Sequence, residues 1–127
     1  IETRWASPEN PDGARGAGGQ SNGGRKGRAF LPIPAGERLV LAHHRGGPGI
    51  VRRMWMTLTD LDLTTLRGLR LECFWDGASE PAVSAPLGDF FCQPLGRMSR
   101  MESALFSSPE GRSFNSYVPM PFRDEFR

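Results

Sequence analysis

The sequence predicts an all-β fold, an antiparallel β-sandwich that follows a glycine-rich N-terminal arm. Side chains alternate as in strands over residues 50–59 and 69–75, and the first of these runs is rich in β-branched and aromatic residues. Turn signals separate the apolar runs, among them Gly46-Gly47-Pro48-Gly49 and Asp76-Gly77. Helical spacing is confined to residues 60–67, which we expect to form at most a short helix or turn.

Composition limits the class of protein. The chain has 127 residues, the size of one domain, and 16 Lys and Arg against 14 Asp and Glu give a net charge of +2. This small excess does not indicate nucleic acid as a partner. No apolar run reaches the roughly 18 residues of a membrane helix, so we expect no membrane partner. The chain starts at Ile1 and looks like a processed or trimmed piece, so its localisation is not predicted.

The predicted arm covers residues 1–28, and the predicted sandwich covers residues 29–127, truncated at its C-terminal end. The arm has neither helix nor strand periodicity, which is typical of a flexible tail or a functional loop. Its glycines do not predict a phosphate loop, because no strand precedes them and no helix-forming run follows.

Within the sandwich, the order of the pieces is readable from turn residues. Residues 31–34 are extended, since two of them precede proline. The predicted strands and extended pieces are residues 38–43, 50–59, 69–75, 82–86 and 112–118, with a further strand starting at residue 122. Residues 92–111 are predicted to be irregular.

The metal-ligating residue types are too few or badly spaced for a site. His43 and His44 are adjacent, so in a strand they point to opposite faces, and we predict no metal and no cofactor. Cys73 lies in an apolar strand pattern and reads as a small buried residue. Whether Cys73 pairs with Cys92 is left open, because pairing requires Cα atoms within about 7 Å.

Asp89 is the residue that the apolar pattern explains least. It follows Gly88 and precedes Phe90 and Phe91, at the end of an apolar extended piece. Two interpretations stay open: the carboxylate caps a turn, or it forms part of the wall of a sugar-sized pocket with the aromatic rings.

Other residues suited to sugars are spread along the chain. Arg112, Asn115 and Tyr117 place polar groups beside an aromatic ring, while Trp55 and Trp75 read mainly as core. Glycoside hydrolysis requires two carboxylates across a cleft, and the sequence alone pairs none of its acids in space.

Four phrases occur in an order that resembles one family. They are Gly47-Pro48-Gly49-Ile50-Val51-Arg52-Arg53-Met54-Trp55, Leu71-Glu72-Cys73-Phe74-Trp75-Asp76-Gly77, Pro86-Leu87-Gly88-Asp89-Phe90-Phe91 and Ser113-Phe114-Asn115-Ser116-Tyr117-Val118-Pro119-Met120-Pro121-Phe122. The chain resembles glycoside hydrolase family 172, once a domain of unknown function, which includes difructose anhydride synthase/hydrolases, α-D-fructofuranosidases and α-D-arabinofuranosidases. The resemblance covers nearly the whole chain.

The resemblance implies the first of two jelly-roll β-sandwiches, in a retaining enzyme that forms trimers or hexamers. Members are about three times this long, and their catalytic glutamates lie in the later half, so no catalytic residue is carried over. The arm departs from the family pattern of Ser-x-Asp followed by Gly-Gly-Asn-x-Asp. This chain has Ser7 through Asp12 without that spacing, and then Gly18-Gly19-Gln20.

We therefore predict the N-terminal part of a glycoside hydrolase acting on α-D-furanosides, which contributes substrate-contact and oligomer-interface residues. The alternative is a non-catalytic jelly-roll module for carbohydrate binding or assembly. The expected partners are a carbohydrate and further copies of the chain. The predicted substrate-binding residues are Arg4, Trp5, Asn10, Asp89, Phe90, Asn115 and Tyr117.

Overall fold

The structure is a computed structural model that describes residues 1–25 and 27–127, so position 26 of the predicted arm lies outside the described residues. In the described part of residues 1–43, regular structure is limited to a 3₁₀ turn at Ser21–Gly23 and a single β-bridge between Ser7 and Asn10. The strand predicted over residues 38–43 is wrong, since the first strand, β1, is His44–Arg45.

Short strands make up most of the regular structure after β1. In chain order the elements are β2 (Gly49–Val51), β3 (Met54–Met56), α1 (Leu63–Gly68), β4 (Arg70–Cys73), β5 (Val83–Pro86), α2 (Leu87–Phe90), β6 (Met101–Glu102), β7 (Phe106–Ser108), β8 (Phe114–Ser116), β9 (Met120–Phe122) and β10 (Glu125–Phe126). All of the strand pairs are antiparallel. The predicted all-β antiparallel class is therefore confirmed, while the jelly-roll connectivity stays a prediction.

Three successive antiparallel pairs, β1 with β10, β2 with β9 and β3 with β8, belong to separate sheets and follow one another along the same two segments; together we call them the ribbon. Between β2 and β3, residues 52 and 53 face residues 117–119, so two residues oppose three. This is the geometry of a β-bulge, which the missing N–H of Pro119 favours. The bulge divides the single strand that was predicted over residues 50–59.

The four-stranded sheet has the order β3-β8-β7-β6. β6 and β7 lie inside residues 92–111, so the prediction of an irregular segment there is wrong. These strands are two and three residues long. Their positions are set by pairing with β8 rather than by a repeating pattern of their own.

The core lies on one face of this sheet, against the β4–β5 hairpin and the two helices. Leu66 of α1, Leu71 and Cys73 of β4, Leu87 of α2 and Phe114 of β8 are buried together. The backbone N–H of Leu87 donates to the carbonyl of Leu69 (2.7 Å), which joins α2 to the chain before β4. A Cβ at Gly88 would lie 3.2 Å from the Cβ of Leu66, so glycine allows the close approach of the two helices.

Candidate functional site

The structure distributes the predicted substrate-binding residues over three places. Arg4, Trp5 and Asn10 lie in the arm, Asp89 and Phe90 lie in α2, and Asn115 and Tyr117 lie in or beside β8.

In the arm, Asn10 has a structural role. It is 8% exposed, its Nδ2 donates to the carbonyl of Ala14 (3.0 Å), and its Oδ1 accepts from the N–H of Ala14 (2.9 Å). Both ends of the amide are thus engaged in holding a turn. Arg4 forms an exposed ion pair with Glu2, and Trp5 is 55% exposed.

In α2, the Asp89 carboxylate forms an ion pair with Arg67 of α1. The side chains of Asp89 and Arg67 are 31% and 45% exposed, so solvent screens the pair. The acid in the Gly-Asp-Phe-Phe phrase thus has a structural partner, which the turn-cap interpretation did not include. The phrase itself lies largely in the short helix Leu87–Phe90, which the sequence did not predict.

Phe90 contributes to an aromatic cluster and to a cavity. Its ring packs edge-on against Phe91 (4.9 Å between centroids) and Phe106 (5.9 Å). With Trp75 and Val83 it lines an open apolar cavity of about 390 Å³. The cavity also includes residues 118–121. Its walls suit apolar contacts better than sugar hydroxyls, which need convergent polar groups.

The α2 residues and the β8 residues lie on opposite faces of the four-stranded sheet. Phe114 faces the core, where its ring contacts Phe91 (5.3 Å between centroids). Asn115 follows Phe114 in β8 and points to the other face, because side chains alternate along a strand. The structure therefore does not bring Asp89 and Asn115 together.

The other face, which we call the outer sheet face, carries Arg53, Trp55, Ser107, Asn115 and Tyr117. The register places Trp55 and Ser107 on either side of Asn115. Trp55 and Tyr117 are 46% and 41% exposed, whereas Asn115 is 5% exposed beneath its neighbours. The prediction that Trp55 belongs to the core is wrong, while Trp75 is half-buried and packs against the core.

Arg53 and Asn115 are coupled by hydrogen bonding. The Asn115 Oδ1 accepts from Arg53 Nη2 (3.1 Å). Its Nδ2 donates to the Ser107 carbonyl (3.2 Å) and to the Ser113 hydroxyl (3.0 Å). Asn115 is thus used internally and orients Arg53, whose guanidinium carbon also lies 5.4 Å from the centroid of the Tyr117 ring.

Sequence reasoning missed Arg53 as a site residue, although the alternation already placed it with Trp55 on one face. The signal was an exposed cation in the middle of an aromatic and apolar pattern. Its contact with Asn115 spans 62 residues, and no local spacing could reveal that.

A second polar cluster joins the two strands at the β1–β10 end of the ribbon. Glu125 of β10 accepts from His43 Nε2 (3.1 Å) and from Arg45 (3.0 Å). The hydrogen bond from His43 and the charge of Arg45 lower the pKa of Glu125. Arg45 and Glu125 line a small cavity of about 160 Å³ together with Phe74, Gly77, Ala78 and Arg127.

The described residues contain no group of three or more His, Cys, Asp or Glu side chains that could hold a metal ion. His44, next to His43, instead packs its ring against Phe122 (5.8 Å between centroids). Cys73 and Cys92 are free; Cys73 is buried, as predicted, and burial raises the pKa of its thiol. Among the described residues, the helices are too short or too polar to cross a membrane.

Comparison with known proteins gives one family. No curated protein matches the chain. The family model described as GH172 domain-like matches residues 27–127, which include both faces of the four-stranded sheet. Since this match covers most of the sequence, the chain belongs to the GH172 domain-like family. The matched residues are thus a domain region of a glycoside hydrolase family.

Proposed function

We propose that this chain is the N-terminal part of a glycoside hydrolase acting on α-D-furanosides, and that the outer sheet face contacts the sugar. The observation that supports this proposal is the exposed pair Trp55 and Tyr117 beside the oriented Arg53. Aromatic rings present an apolar face to the C–H side of a sugar. Arginine N–H groups donate to its hydroxyls.

The oriented groups have separate roles in this proposal. Trp55 and Tyr117 stack on or against the furanose ring, and Arg53 donates to hydroxyl oxygens. Asn115 holds Arg53 from below and does not itself touch the ligand, because it is 5% exposed. Asp89 and Phe90 form a separate contact region, in which Asp89 accepts from hydroxyls in competition with Arg67.

The acid and the nucleophile are proposed to come from outside this chain. Hydrolysis requires two carboxylates on either side of the scissile bond. Several acids are already engaged: Asp76 accepts three backbone N–H groups, Glu125 pairs with His43 and Arg45, and Asp89 pairs with Arg67. These contacts give three of the chain's acids a structural partner, which agrees with placing the acid and the nucleophile elsewhere.

Titration with small furanosides tests the proposal. We expect the chain to bind methyl α-D-arabinofuranoside or methyl α-D-fructofuranoside more tightly than methyl α-D-glucopyranoside, by calorimetry or saturation-transfer NMR. Trp55→Ala should weaken binding by roughly three- to tenfold through loss of stacking. Phe30→Ala is the matched control, because Phe30 is a 78% exposed aromatic outside the outer sheet face.

Equal binding by the wild-type chain and Trp55→Ala would remove the outer sheet face from the proposal. In the same titration, Asp89→Asn keeps the shape of the side chain and removes its charge. Unchanged furanoside binding by this variant, with unchanged melting, would exclude a charge-assisted contact between Asp89 and the sugar.

A non-catalytic module for assembly is the second candidate, and the apolar cavity beside Phe90 favours it. In this case the apolar surface around the cavity is covered by further copies of the chain, as in a trimer or hexamer, or by another part of the same enzyme. An associated species that binds no furanoside would support this candidate over the first one.

A further inference from the structure

The guanidinium of Arg53 is held in place without an acidic partner. The Asn115 Oδ1 accepts a hydrogen bond from one of the five N–H groups of Arg53. The Arg53 guanidinium carbon lies over the Tyr117 ring, 5.4 Å from its centroid. Among residues 1–25 and 27–127, no carboxylate lies within ion-pair distance of Arg53. The side chain is exposed, so its remaining donors are accessible to a ligand.

An arginine held in this way is suited to one kind of ligand group. Its planar fork matches the two oxygens of a carboxylate, and such charge-assisted pairs are stronger than neutral hydrogen bonds. The side chain is already ordered by Asn115 and Tyr117, so less rotamer entropy is lost on binding.

Trp55 makes the surface specific for a ring rather than for a bare anion. Trp55 of β3 lies two residues after Arg53, which directly precedes the strand, and Trp55 is 46% exposed. A ligand stacked on this indole places a substituent of its ring near the Arg53 fork. We infer that the outer sheet face binds an acidic saccharide, a sugar ring that carries a carboxylate, with the carboxylate on Arg53 and the ring on Trp55.

Glu102, an acid on the same face, is too distant to oppose this ligand. Glu102 of β6 is exposed and faces outward, since it pairs with Ser107. β6 is three strands from β3, or about 14 Å at the usual strand spacing. That separation exceeds the Debye length of about 8 Å at physiological ionic strength.

This inference rests on the proposed function only in taking the outer sheet face as a sugar-contact surface; the acidic group is an addition to it. Galacturonate, galactose and acetate separate the contribution of the carboxylate from that of the sugar ring. Galactose lacks the charge, and acetate lacks the ring. We expect the chain to bind D-galacturonate more tightly than D-galactose or acetate in calorimetric titrations, and the advantage over galactose to shrink as salt is added.

Two neighbouring arginines provide the matched pair of variants. Arg53→Gln should weaken galacturonate binding by roughly tenfold and galactose binding by less, because galactose loses only hydroxyl hydrogen bonds and no charge-assisted pair. Arg52→Gln removes the same charge from an exposed arginine that makes no hydrogen bond or ion pair among the described residues, and it should bind galacturonate like the wild type. Both substitutions are on the surface, and melting curves check that both variants fold.

Each alternative outcome overturns the inference. Equal affinity for galacturonate and galactose excludes a carboxylate site. Equal affinity for galacturonate and acetate leaves only a simple anion site. Equal losses of galacturonate affinity in Arg53→Gln and Arg52→Gln would show general charge attraction instead of a bidentate pair with the Arg53 guanidinium. If neutral furanosides bind but galacturonate binds no better than galactose, the inference fails and the proposed function stands. If galacturonate binds in a way that depends on Arg53 while furanosides do not bind, the inference stands and the proposed function fails.

Discussion

Asp76 joins two segments that lie far apart in the sequence. Its Oδ1 accepts from the backbone N–H groups of Arg123 (2.9 Å), Asp124 (2.8 Å) and Glu125 (3.2 Å). The residue has a φ of +52° in a tight turn with Gly77, a conformation that Asp and Asn tolerate better than most residues. The bonds from Asp124 and Glu125 lower the pKa of Asp76. One turn residue therefore holds the approach to β10.

This geometry gives a pH-dependent contribution to stability. Because the folded pKa is depressed, the contribution is present above the ordinary value of 3.8 and is lost as the pH falls through the lower folded value. We expect Asp76→Asn, which keeps the positive φ but not the charge, to lower the melting temperature at neutral pH. The difference from the wild type should narrow in acid.

The control for that measurement is Asp60→Asn. Asp60 is exposed and makes no hydrogen bond or ion pair among the described residues, so its loss should leave melting unchanged at either pH. If the difference in melting temperature between Asp76→Asn and the wild type stayed constant with pH, that result would contradict a charged role for Asp76.

Among the elements, α1 shows how local and distant signals combine. Asp62 caps it, since its Oδ1 accepts from the N–H of Thr65 (2.7 Å), and the leucine spacing predicts a short helix there. Leu66 is fully buried against the core, while Leu63 of the same helix is 59% exposed. The helix therefore has one leucine that stabilises the fold and one that does not.

That contrast is testable with one type of substitution. Leu66→Ala should lower the free energy of unfolding by about 2–5 kcal/mol, because it leaves a cavity under α2. Leu63→Ala should change it by less than about 0.5 kcal/mol, as is usual on a surface. Urea titration with equal m-values would validate the comparison, and similar losses in the two variants would disprove the assigned burial.

The elements that the sequence did not predict are those defined by distant partners. α2 is one turn long, and its position depends on the bond from Leu87 to Leu69, which no helical pattern encodes. The division between β2 and β3 depends on Pro119, more than 60 residues away. Trp55 was assigned to the core because it lies inside a strand pattern. Alternation shows which residues share a face, but it does not show which face is covered.

At the scale of the whole molecule, apolar surface is left exposed. The cavity beside Phe90 is open, and several large apolar side chains outside it are 46–78% exposed. They include Phe30, Val40, Leu41 and Leu95. Soluble monomers rarely expose large apolar patches, and the net charge of +2 adds little repulsion.

We therefore expect the isolated chain to self-associate or aggregate, to an extent that rises with concentration. Sedimentation velocity over a dilution series measures this directly. Phe90→Ser lowers the apolar character of the cavity wall, and Leu95→Ser removes an exposed leucine, so we expect both variants to associate less than the wild type. A single monomeric species over the whole series would contradict the expectation.

The ribbon also has a consequence for how the chain is made. β1, β2 and β3 lie between residues 44 and 56, and their partners lie between residues 114 and 126. While the ribosome is still adding the middle of the chain, these early strands have no partner to pair with. The residues of α1 and of the β4–β5 hairpin lie between 63 and 86, so all of them are synthesised before the partners of β1, β2 and β3. Closure of that ribbon requires that residues 114–126 have left the exit tunnel.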